Sequence, residues 1–143
     1  MTALTDSAPK APIDATAREP LVGLLRVALW AEALLGLAVT VLLSAIASSP
    51  FFAGTDGETS IRFAAAAAFI FAIAAAIAAR GARRRRGWSW TVAAVLQLVL
   101  ALGTGLAVFN TVWQPYYLVG FALAAIVMGL LSTNAVRRAL GQA

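Results

Sequence analysis

Long apolar runs alternate with short polar breaks along this chain, and the runs cover residues 21–46, 61–79, 88–109 and 115–134. Each is close to the twenty or so residues that an α-helix needs to cross a hydrocarbon core of about 30 Å. In lipid every backbone N–H and C=O must be paired within the protein, so unbroken runs of this length predict transmembrane helices. The period-two alternation that a transmembrane β-strand would need is absent. The pattern therefore predicts an all-α membrane protein, an up-down four-helix transmembrane bundle whose tight connections force neighbouring helices to run antiparallel.

The breaks divide the rest of the chain. Residues 1–20, with Pro9, Pro12 and Pro20, read as a disordered polar N-terminal tail. Residues 47–60 hold Pro50, Gly54 and Gly57 and read as a turn-rich loop. Arg80 to Gly87 makes the second connection and Asn110 to Gln114 the third, with Pro115 suited to the first turn of the last helix. Residues 136–143 read as a short basic C-terminal tail. Ala45-Ile46-Ala47 has the small-x-small form of a leader cleavage site, but the apolar stretch before it is too long for a signal peptide.

Charge adds an orientation. Lys10, Arg18 and Arg26 precede or open the first run, five arginines fill the second connection, and Arg137 and Arg138 follow the last run; Arg62 stands alone on the other side. Positive-inside bias thus places both termini and the arginine turn in the cytoplasm, in a multi-pass protein of the cell membrane. Trp88 and Trp90 mark the inner interface, and Trp113, Tyr116 and Tyr117 the outer one. The net charge of +5 belongs to these anchors: Arg83, Arg84, Arg85 and Arg86 are expected to contact anionic lipid headgroups, and a nucleic-acid partner is not expected.

Composition narrows the chemistry. Apolar residues make up 62% and charged residues 12%, so lipid is the solvent for most of the chain. There is no cysteine and no histidine, which removes disulfides, thiolates and the commonest metal ligands and proton shuttles. Only six carboxylates exist, and five lie outside the apolar runs. No enzyme, metal site or cofactor is expected from these parts.

Glu32 is the exception, a carboxylate about eight residues inside the inner membrane boundary and so roughly 12 Å deep. At that depth a lone charge costs several kcal/mol, so it is expected to be protonated or partnered. Gly36, Thr40 and Ser44 follow at i+4 steps and extend a small, polar stripe that should face protein. Gln97 lies at matching depth in the third run and is the expected partner, as interhelical glue or as part of a protonatable site. In the second run Ala64, Ala68, Ala72, Ala75 and Ala79 form a smooth row that reads as a helix-packing face. Gly103-Thr104-Gly105 in the third run fits close packing or a mild bend. Asn110 and Asn134 read as helix caps.

Leu29-Trp30-Ala31-Glu32-Ala33-Leu34, Arg86-Gly87-Trp88, Leu96-Gln97-Leu98 and Arg138-Ala139-Leu140 together resemble small four-span membrane proteins of high-GC Gram-positive bacteria. That resemblance implies location and architecture, not activity. Ala31-Glu32 in the first span is also similar to the small multidrug resistance transporters, which carry a functional carboxylate there. By that likeness Glu32 would exchange protons for a lipophilic cation within a dimer. The tryptophan that precedes that family's glycine pair is missing before Gly103 and Gly105, and the long tail and outer loop are unlike it. The expected function is a non-catalytic accessory or structural subunit, with a membrane protein partner or a second copy beside it. The alternative is a proton-coupled small-molecule or cation transporter using Glu32.

Overall fold

The structure is a computed structural model that describes residues 15–110 and 116–141, with side chains described over 20–106 and 118–141. Among these residues the elements are α1 (Ala15–Ala47), α2 (Asp56–Arg83), α3 (Trp88–Asn110), α4 (Tyr116–Ser132) and α5 (Asn134–Ala139), with no strand. The stretches Pro20–Ala47, Asp56–Arg83 and Trp88–Leu106 are long and apolar enough to cross a membrane, and Leu118–Ser132 is a shorter apolar helix. Pro115, Trp113 and the side chains of Asn110, Tyr116 and Tyr117 lie outside the described residues, as do residues 1–14 of the tail.

Helix boundaries depart from the hydropathy pattern where local chemistry overrides it. α1 begins at Ala15, not Leu21, and takes in Pro20. A proline this close to a helix start forfeits only one intrahelical bond, so the turn ahead of it can stay helical. α2 begins five residues before Ile61 because Thr55 caps it: the Glu58 N–H donates to Thr55 Oγ1 at 3.3 Å. The Glu58 carboxylate reaches back to the Gly54 N–H at 2.7 Å and pairs with Arg62 at 2.6 Å.

At its other end α2 runs through Arg80 into the arginine cluster and stops in a Schellman turn. The Arg86 N–H donates to the Gly81 carbonyl and the Arg85 N–H to the Ala82 carbonyl, each at 3.1 Å. Arg85 takes the left-handed position, φ 51°, where glycine is the usual occupant. The chain enters α3 immediately afterwards, so Trp88 and Ser89 fold back onto Gly81. A Cβ there would stand 2.8 Å from both side chains.

The expected C-terminal tail is instead a short packed helix. α4 ends at Ser132, Thr133 caps α5 by accepting from the Val136 N–H at 3.4 Å, and Val136 and Leu140 are fully buried. Two apolar residues four apart give the segment a face worth burying, which a reading based on its arginines overlooks. The cap is Thr133, not Asn134, which is the first helical residue. The Trp90 indole N–H donates at 3.0 Å to the Leu131 carbonyl, one of the acceptors left open where α4 ends.

Successive helices pack on one another, α4 closes against α1, and α5 rests on α1 and α4. α1 and α2 make the most extensive contact. Gly36 permits it: a Cβ there would meet Ala72 Cβ at 3.0 Å and the Ala68 carbonyl at 3.3 Å. The largest buried side chains gather at the end that carries the arginine turn, where Leu25, Leu29, Leu96, Val127, Leu130 and Leu131 meet Val136 and Leu140.

Candidate functional site

Glu32 and Gln97 are the centre of the bundle. α1 and α3 stand on a diagonal with little direct helix contact, yet this pair bridges them. Gln97 Nε2 donates to Glu32 Oε2 at 2.8 Å and to Oε1 at 3.0 Å, and both residues are buried. The Gln97 amide oxygen is buried with no donor among the described residues.

On one side of this pair lies the packed leucine core; on the other the four helices separate. A cavity of about 420 Å³ opens there, with Glu32 on its wall. α1 contributes Gly36 and Val39, α2 Ala68 and Phe71, α3 Gly103 and Thr104, and α4 Gly120 and Leu123. The lining is almost wholly apolar apart from Glu32 and Thr104, whose hydroxyl is spent on the Leu100 carbonyl at 2.7 Å. Such a space suits an apolar guest with one polar or cationic group.

The expected polar stripe is brought together only in part. Gly36 meets α2 and Thr40 is half-buried, donating to the Gly36 carbonyl at 2.8 Å, but Ser44 is exposed. Each i+4 step advances about 40° around an α-helix, so by the third step Ser44 has turned about 120° from Glu32.

The expected alanine face shifts for the same reason. Ala72, Ala75 and Ala79 are buried and Ala68 half-buried, but Ala64 is exposed and Ala65 takes its place. Ala65 is seven residues from Ala72, almost two whole turns, whereas Ala64 lies about 80° away. The same face continues through Ala78 and Ala82. Gly103 is exposed and Gly105 half-buried, and among the described residues nothing lies within 4 Å of where a Cβ on either would stand; α3 and α4 come close at Gly120, where a Cβ would stand 3.2 Å from Thr104 Oγ1.

Arg83 to Arg86 are all exposed, but they are not equivalent. Arg83 faces a groove between α1 and α2 together with Arg26 and Arg80. Arg84 and Arg86 do not line that groove. The expected lipid contacts, Arg83 to Arg86, leave out Arg80, which read as the start of the second connection, and Arg26, which read as snorkelling to the interface. Their i+3 and cross-helix relation to Arg83 needed the α1–α2 register. Comparisons with known protein families, curated proteins and solved structures find no match to the chain.

Proposed function

We propose that the chain is a small multi-pass protein of the cell membrane, crossing it four times with both termini cytoplasmic, and that it acts without catalysis as an accessory or structural subunit. The observation that carries this reading is the engagement of Glu32. Both its oxygens are taken by one amide from the diagonal helix, so the only carboxylate in the apolar runs is used to set the bundle. The absence of histidine and cysteine supports the same conclusion. The α4 helix, Tyr116–Ser132, has 17 residues, the lower end of the length range for a span.

A second reading has its own support. The cavity beside Glu32 is a place for a lipophilic cation or similar guest, as proton-coupled transport would require.

Affinity purification of the tagged protein from its native host in mild detergent, with mass spectrometry of stoichiometric companions, separates the two. A recurrent membrane assembly that survives Glu32→Gln supports the accessory subunit. A bare monomer or homodimer, with uptake or efflux of a lipophilic cation abolished by Glu32→Gln, would overturn it in favour of transport.

A further inference from the structure

We propose that the groove between α1 and α2 beside the arginine turn binds one anionic phospholipid. Arg26, Arg80 and Arg83 hold its phosphate, and an acyl chain lies along Val27, Trp30 and Leu34. This rests on the chain being membrane-spanning, and is independent of any role for Glu32.

The groove has a volume of about 580 Å³. Its cationic end is built by residues from two helices more than fifty positions apart in sequence, so it exists only through the α1–α2 register. Among the described residues no carboxylate pairs with these three guanidiniums; the ion pair of Glu58 with Arg62 lies at the opposite end of α2. Three like charges converging on one groove beside apolar walls repel each other unless an anion sits between them. Guanidinium forks match phosphate oxygens in geometry as well as charge.

The apolar half of the groove selects what the anion is attached to. From Arg26 to Leu34 the groove follows α1 for about 12 Å, and along that length Val27, Trp30 and Leu34 are all exposed on the helix surface. A free phosphate would use only the arginines; a phospholipid fills both ends. Next to the groove a second depression, lined by Gly23, Arg26, Arg83 and Arg85, continues the basic surface. A Cβ on Gly23 would meet nothing within 4 Å, so a headgroup has room there. Basic pockets between membrane helices are established headgroup sites in general.

The test uses the full-length protein purified in mild detergent and reconstituted in nanodiscs. One arm compares Arg26→Gln/Arg80→Gln/Arg83→Gln with Arg84→Gln/Arg86→Gln/Arg137→Gln, which removes the same charge outside the groove. Phosphatidylglycerol retained per chain, and the rise in melting temperature on adding it, are measured against phosphatidylcholine. About fivefold in affinity is expected per groove arginine, so roughly two orders of magnitude for the groove triple. The control triple should keep most of the effect. Equal losses in both triples would mean diffuse surface charge and overturn the site. Equal stabilisation by inorganic phosphate would replace the lipid with a free anion, and equal stabilisation by phosphatidylcholine would remove the headgroup preference; either also overturns the proposal.

A second arm needs no destabilising variant. Brominated phosphatidylglycerol should quench the tryptophan fluorescence of the native chain more than brominated phosphatidylcholine does, and Trp30→Phe should abolish the difference. No difference in the native chain would refute lipid seating at Trp30 even if the groove triple fails to fold.

Discussion

Glu32 and Gln97 show how one hydrogen-bonded pair can decide what a helix surface means. The pair is buried, and removing one partner leaves the other without its bonds inside the bundle, at a cost of about 1–3 kcal/mol. Gln97→Leu is expected to destabilise the bundle by that amount in detergent unfolding. The double variant Glu32→Leu/Gln97→Leu should be less damaged than the sum of the single changes. A coupling of about 0.6 kcal/mol is typical for membrane interiors, and a coupling of zero would mean that the pair does not hold the helices. Arg85 makes the opposite case. Its backbone sits at φ 51°, where a side chain costs roughly 1 kcal/mol. Arg85→Gly should therefore raise the melting temperature, equivalent to about 0.5–1 kcal/mol; a fall would show that the contacts of the arginine side chain outweigh the strain.

At the scale of elements, the helices meet through small residues at a few narrow points. Gly36 against Ala72 sets the α1–α2 approach, and Gly81 under Trp88 and Ser89 sets the hairpin between α2 and α3. The second is the more sensitive, because a Cβ at Gly81 would stand 2.8 Å from two side chains at once. Gly81→Val should cost about 1–3 kcal/mol, the usual penalty for overpacking. Gly103→Val, with open space around it, should cost far less. Thermal stability of the two variants in the same detergent checks this, and equal losses would contradict the close hairpin. Alanine patterning along α2 indicated that such a face exists, but its rotation by one residue, from Ala64 to Ala65, could not be read without knowing where α1 lies.

Over the whole molecule, packing is uneven. The end with the arginine turn holds most of the large buried side chains, and α5 folds over it. At the other end the helices separate and leave the open cavity beside Glu32. In the proposed topology the packed end would face the cytoplasm. The chain has no cysteine, so single introduced thiols report topology cleanly. Ala53→Cys, exposed in the α1–α2 connection, should react with an impermeant maleimide on intact cells. Arg84→Cys, exposed in the arginine turn, should react only after lysis. The reverse labelling would invert the orientation and leave the helical packing as it stands.

The number and placement of the apolar helices were legible in the sequence because lipid demands length and hydropathy from each segment on its own. Glu32 stood out for the same reason, as a carboxylate in a run that otherwise excludes charge. Gln97, at matching depth in the third run, was legible as its partner, and the two are hydrogen-bonded. Two features depended on the tertiary structure: the joining of Arg26 to Arg80 and Arg83, and the burial of Val136 and Leu140, each of which needs the register between helices distant in sequence. That register is set by close contacts such as Gly36 on Ala72, to which hydropathy is blind because alanine and glycine look alike whether they face lipid or another helix.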